Sequence, residues 1–114
     1  MIVPPMIRPI VRMNVFYPWK KGARFDWAYY TGSHIPMVAR KLGEALKGIS
    51  VEKGLSGEGL DSKPTYVAIA HLSFDSMADF DSAFGPVEAE IMADIPKYTS
   101  ITPVVQFSEV KLEQ

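Results

Sequence analysis

The sequence contains no cysteine. That removes disulfides, a thiolate nucleophile and every cysteine-based metal site, and it leaves the redox compartment open. Histidine is nearly as scarce. His34 and His71 stand alone, without a His-Glu-x-x-His spacing, so zinc and non-haem iron have little to bind. There is no Gly-x-Gly-x-x-Gly or phosphate-loop pattern, and Gly57-Glu58-Gly59 reads as loop flexibility. Nicotinamide, ATP and flavin by that fingerprint are unsupported, and haem has no local signature. The expectation is a protein without cofactor or metal. No apolar run approaches a membrane span, and MIVPPMIRP is too short and proline-rich for a signal peptide. A cytoplasmic protein is expected, with no membrane partner. A net charge of −1 gives nucleic acid no reason to bind.

What is present fits one domain. The 114 residues, 47% hydrophobic and 22% charged, can build a modest core. The basic residues are unevenly spread, because Arg8, Arg12, Lys20, Lys21 and Arg24 all precede the first acid, Asp26. Such a cluster is usually a solvated face or a set of salt bridges. A mouth that attracts acidic or phenolate-like ligands is the minority reading.

The central stretch is FDWAYYTGSHIPMVARKL, residues 25–42. Asp26 is a good N-cap, and Phe25 with Tyr30 can form a hydrophobic staple. Thr31, Ile35, Val38, Ala39 and Leu42 recur at helical spacing as an apolar stripe that includes His34. Pro36 lacks an N–H, and its ring would crowd the carbonyl of Gly32. The helix is therefore expected to kink or restart between Gly32 and Pro36, with His34 in the break and aimed inward. A histidine on an apolar face is more often a satisfied core residue than a catalyst. A helix break beside it shifts the balance towards function.

The rest follows in order. Residues 1–9 carry three prolines and read as an extended arm before a domain spanning 10–114. Ile10 to Tyr17 alternates as a strand, with Val11, Met13 and Val15 on one side and Arg12, Asn14 and Phe16 on the other. Trp19 to Arg24 is a basic loop. Ile49, Val51 and Leu55 mark a second strand, and residues 56–64 form a flexible loop. Thr65 to Phe74 is a third strand that is apolar on both faces. Asp75 or Ser76 caps a helix whose inward stripe is Met77, Phe80, Ala83 and Phe84. Gly85-Pro86 interrupts it before a short helix through Ala93. A final strand runs from Ile101 to Val110, with Pro103 near its start as an edge strand permits.

This β-α-β-β-α-β order predicts an α+β ferredoxin-like fold, with two helices on one face of a four-stranded antiparallel sheet. Ala68 and Ala70 would lie under the helices. Val67, Ile69 and His71 would lie on the opposite face, leaving an apolar patch that a second copy can cover. A homodimer is expected, paired sheet to sheet as a dimeric α/β barrel.

The segments FDWAYYTGSHIPMVARKLG, YVAIAHLSFDS and ADIPKYTSITPVVQFSEV, with a first strand ending in FYP, resemble the EthD family of the dimeric α+β barrel superfamily. His-Ile-Pro and Ala-Asp-Ile-Pro-x-Tyr-Thr are the most specific pieces. The resemblance implies small-molecule degradation, with family labels leaning towards oxidoreductase. It places His34 and the Asp94–Tyr98 segment in family motifs without assigning either a role. Barrel relatives include cofactor-free quinol monooxygenases, polyketide cyclases, lactone isomerases and haem-dependent peroxidases, so fold alone does not choose a reaction.

The expected site therefore has His34, Asp94 and Tyr98 as catalytic groups. Tyr30, His71, Asn14 and Trp19 are expected to bind substrate. A carboxylate beside the imidazole would fix its tautomer and make it a general base. The competing reading has Asp94 capping a turn, Tyr98 packing on the sheet and His34 bonded to backbone. Two functions stay open. One is a cofactor-independent enzyme acting on an aromatic, quinol or polyketide-like compound by oxidation or proton transfer. The other is a non-catalytic carrier that binds such a compound for a partner oxygenase.

Overall fold

A computed structural model describes residues 10–113. The arm read at residues 1–9 lies outside the described residues. The first strand, β1, is Val11–Pro18. A helical segment follows as α1 (Trp27–Tyr29), a π-helical turn (Tyr30–His34) and α2 (Ile35–Leu42). Strands β2 (Gly48–Lys53) and β3 (Tyr66–Phe74) come next. Helices α3 (Met77–Phe84) and α4 (Glu88–Asp94) lead through a 3-10 turn (Ile95–Lys97) to β4 (Val104–Glu109). All strand pairs are antiparallel, in the order β2-β3-β1-β4. This is the ferredoxin-like α+β fold.

Residue alternation sets the two faces of the sheet. Ala68, Ala70, Leu72 and Phe74 are buried beneath the helices. In the neighbouring strand Tyr17 pairs with Ala68 and Val15 with Ala70, which puts them on the same face. The small alanines let the helices lie close. One core cluster joins Val38, Leu42, Phe80 and Ile91 to β3. A second, aromatic cluster joins Tyr17, Tyr30, Tyr98 and Ile101. The other face carries Phe16, Val67, Ile69 and His71, which remain half-buried.

The helix entry follows local chemistry. Asp26 Oδ1 accepts from the Tyr29 N–H at 3.1 Å, and the Phe25 and Tyr30 rings meet edge-on at 5.0 Å. The expected break takes a different form. The helix continues but widens by one residue, so that the Ile35 N–H donates to the Tyr30 carbonyl five positions back. This wider turn absorbs the N–H that Pro36 lacks. Thr31 is exposed rather than part of the inward stripe. The helix ends at Gly43, whose φ of 59° suits a residue without Cβ.

Several boundaries also differ. The N-cap of α3 is Ser76, whose Oγ accepts from the Asp79 N–H at 3.0 Å. Met77 at its start is exposed. Leu55 lies outside β2 and is 87% exposed. The chain turns away at Gly54, where a Cβ would sit 2.0 Å from the Tyr66 carbonyl oxygen. β4 begins at Val104 rather than Ile101. Pro103 can donate no ladder bond, and the Ile101 N–H is taken by Thr99 Oγ1 at 3.0 Å. Among the described residues, no helix is long and apolar enough to cross a membrane.

Candidate functional site

His34 closes the π-helical turn and points into the protein, 4% exposed. Asp94 is the last residue of α4, and Tyr98 follows the 3-10 turn. The fold brings all three together. His34 Nδ1 lies 2.9 Å from Asp94 Oδ2, and Nε2 lies 3.4 Å from the Tyr98 hydroxyl. The Tyr98 hydroxyl is in turn 2.6 Å from that of Tyr17 on β1. Asp94 Oδ1 accepts from the Tyr29 hydroxyl at 2.8 Å, and Lys97 Nζ stands 3.6 Å away. The His34 ring stacks on Tyr30, with centroids 5.7 Å apart, and tilts against Tyr98 at 4.5 Å.

These neighbours set the charge states. Burial pulls His34 below its ordinary pKa and outweighs the opposing effect of Asp94. Burial alone would raise Asp94. Hydrogen bonds from His34 and Tyr29, with the nearby cation of Lys97, bring it below the usual carboxylate value. The pair at neutral pH is therefore a neutral imidazole beside an ionised carboxylate. The acid fixes the tautomer with the proton on Nδ1, which leaves the Nε2 lone pair free to accept. Burial pushes the phenols of Tyr17, Tyr30 and Tyr98 well above their ordinary range. They remain protonated hydroxyls.

Beside this cluster lies a cavity of about 160 Å³ between helices and sheet. Tyr17, Tyr30 and His34 line one side, and Val15, Val38, Leu72, Phe84 and Ile91 are among its apolar walls. Exposed Met92, Thr102 and Val105 mark its solvent end. Among the described residues, no lysine or arginine lines it. Arg24, from the basic loop, instead donates to the carbonyls of Pro96 and Lys97, at 2.6 and 3.3 Å. It braces the turn carrying Asp94 and Tyr98 and forms no ligand mouth. No group of three or more metal-ligating side chains converges among the described residues.

Of the residues expected to bind substrate, only Tyr30 lines this cavity. Asn14 sits between Met13 and Val15 on β1, so the strand's period of two turns it to the opposite face. There its Oδ1 is 2.8 Å from His71 Nδ1, and its Nδ2 donates to the Gln106 carbonyl at 3.1 Å and to Ser108 Oγ at 3.0 Å. His71 lies on that same face, with Nε2 3.7 Å from Glu52. Trp19 projects beyond the end of β1, beside Lys63 and the exposed Leu55 and Leu60. None of these three faces His34. Two functional candidates escaped the sequence reading, Tyr17 and Tyr29. Tyr17 continues the Val11, Met13, Val15 series and could have been found by extending that alternation. Tyr29 reaches Asp94 only because of the helix geometry, which no pattern displays.

No curated protein matches the chain. Among solved structures, an EthD-like protein from Ralstonia eutropha JMP134 is 44% identical, covers 95% of this chain and 97% of its own, and superposes with a TM-score of 0.89. A hydroxynitrile lyase from Passiflora edulis is 17% identical, with 95% and 99% covered and a TM-score of 0.67. A dimeric ferredoxin-like protein of unknown function from Thermobifida fusca YX is 15% identical, with 90% and 92% covered and a TM-score of 0.56. These last two share the fold. The EthD domain profile matches residues 23–102, which include His34, Asp94 and Tyr98, and with that match the chain belongs to the EthD family.

Proposed function

We propose that the protein binds a small, largely apolar molecule in the helix–sheet cavity and that His34 takes a proton from it. The observation that carries this reading is His34 on the wall of a largely apolar cavity, held 2.9 Å from an Asp94 that lies outside the lining. A base works best when its pKa lies near or below the working pH and its ring is held in one orientation. The pull of burial on His34 supplies the first condition, and the Asp94 carboxylate supplies the second. A cavity of about 160 Å³ is close to the ~150 Å³ that accommodates benzene. A single aromatic ring fits this volume.

Proton removal is a first step shared by isomerisation, lyase chemistry and the oxidation of quinols by oxygen. A carrier would need the apolar cavity but not the titrating pair, so the paired, tautomer-fixed imidazole favours the enzyme. We infer that the active form is a homodimer. Half-buried Phe16, Val67 and Ile69 on the uncovered sheet face support this, as does the dimeric assembly of the Thermobifida fusca protein.

The test begins with native mass spectrometry for a co-purifying ligand and a panel of phenols and quinols. Turnover that rises with pH through one ionisation below 6.5, and disappears in His34→Ala, is the expected result. Ligand binding without turnover, unchanged in His34→Ala, leaves the carrier role standing instead.

A further inference from the structure

The hydrogen-bond directions around His34 can be followed from one end to the other. An ionised carboxylate only accepts, so Asp94 takes the Nδ1 proton of His34 at 2.9 Å. The neutral ring then has only a lone pair at Nε2. Tyr98, 3.4 Å away, must donate to it. Having spent its single hydrogen there, Tyr98 can only accept from Tyr17 at 2.6 Å. Tyr17 in turn has spent its hydrogen on Tyr98. A phenolic oxygen accepts twice, so Tyr17 keeps its lone pairs to offer. The hydrogens of Tyr17 and Tyr98 therefore both run towards His34.

Tyr17, Tyr30 and His34 are the polar groups at this end of the cavity, and Thr102 lies at the exposed end. With its hydrogen directed at Tyr98, Tyr17 presents lone pairs only to the cavity. We propose that the ligand is a hydroxyl compound of phenol or alcohol class, and that it donates its O–H to the oxygen of Tyr17. This rests on the cavity being the ligand site. At Tyr17, a carbonyl or ether of the same size would set lone pair against lone pair. The same chain gives the proton a route. The ligand's proton passes to Tyr17 as that of Tyr17 passes to Tyr98 and that of Tyr98 to His34 Nε2. One O–H bond is lost from the ligand and one N–H bond is gained on His34. Each tyrosine ends as it began, leaving an oxyanion and an imidazolium. Tyr17 is thus assigned as a catalytic residue that touches the ligand, and Tyr98 as a positioning residue.

Calorimetric titration at pH 8 with three probes tests this: phenol, its isostere toluene, and anisole, which can only accept. Tyr17→Phe should weaken phenol by about tenfold, the worth of one hydrogen bond, and leave toluene and anisole unchanged. Tyr98→Phe frees the hydrogen of Tyr17 to turn towards the ligand, so anisole should bind severalfold more tightly. A gain of this kind cannot come from damaged folding, and it stands even if Tyr17→Phe is unstable. Anisole weakening together with phenol in Tyr17→Phe would mean that Tyr17 donates, and would overturn the proposal. Phenol binding indifferent to Tyr17→Phe would overturn it equally. Either result would leave the cavity reading intact. If no probe binds the wild type, or binding leaves the Met13 and Met92 methyl resonances unmoved, the cavity reading falls and takes this proposal with it.

Discussion

Sixty positions of chain separate His34 from Asp94, yet Nδ1 of one lies 2.9 Å from Oδ2 of the other. Neither residue is held by its own element alone. The π turn aims the ring, and the carboxylate arrives at the end of α4, where Tyr29 fixes its second oxygen at 2.8 Å. Removing either partner should therefore do different things.

His34→Ala should lower turnover by roughly 10²–10⁴-fold, the usual contribution of a positioned general base. The protein should still fold, because the lost ring borders an existing cavity rather than the centre of the sheet packing. Asp94→Asn keeps the hydrogen-bonding shape but not the charge, and should cost activity less than His34→Ala. Activity per folded molecule, read beside thermal midpoints, checks both. A destabilised His34→Ala with full specific activity would sink the catalytic role.

The charge state of His34 also sets a pH dependence of stability. Its folded pKa lies below the unfolded value near 6.5. Between those two values the unfolded chain binds more protons, so stability is full above about 6.5 and declines as pH falls through the folded pKa. The thermal midpoint should therefore drop as pH is lowered from 7 to 5. His34→Asn, which can still bond Asp94 but does not titrate, should remove that slope. A slope unchanged in His34→Asn would assign the acid sensitivity elsewhere.

Val67 and Ile69 lie on the uncovered face of the central strand β3. Val67→Asp or Ile69→Asp should dissociate the proposed homodimer, since an unpaired charge buried at an interface costs several kcal/mol. Light scattering at micromolar concentration gives the answer. A wild-type protein that is well folded and monomeric contradicts the homodimer.

Gly54→Ala should lower the thermal midpoint. The added Cβ would fall 2.0 Å from the Tyr66 carbonyl oxygen, so the exit from β2 must shift. Circular dichroism melting measures it. An unchanged midpoint would mean that this turn moves at little cost.

The sheet was legible because strand alternation is a local signal. YVAIAHLSF reads as a strand with two distinct faces, and the structure puts the alanine face under the helices. The same signal, applied to Asn14, gave its face correctly but not the consequence, which is separation from His34 by the thickness of the sheet. The His34, Asp94 and Tyr98 cluster was reachable through two motifs that family resemblance joined. Trp19 lies apart from His34, a position the sequence could not give because a loop residue beyond a strand end has no periodicity to aim it. Tyr17 was missed for a different reason. Its ring reads as ordinary core, and only the 2.6 Å contact with Tyr98 turns it into part of the site.

The turn from Tyr30 to His34 contains one residue more than an α-helical turn would. Thr31, Gly32 and Ser33 are exposed, and a Cβ at Gly32 would meet nothing, so substitutions there should be harmless. Deletion has two different outcomes. In a regular helix one lost residue rotates everything before the gap by about 100°. Here the wide turn holds the surplus residue, so losing one of the three would shorten the Tyr30–Ile35 bond to the regular four positions and leave Tyr29 and Tyr30 facing as they do. A second loss has no surplus left to draw on, and would turn Tyr29 away from Asp94 and Tyr30 away from His34. At this point the chain can spare one codon, and the next would cost it the site.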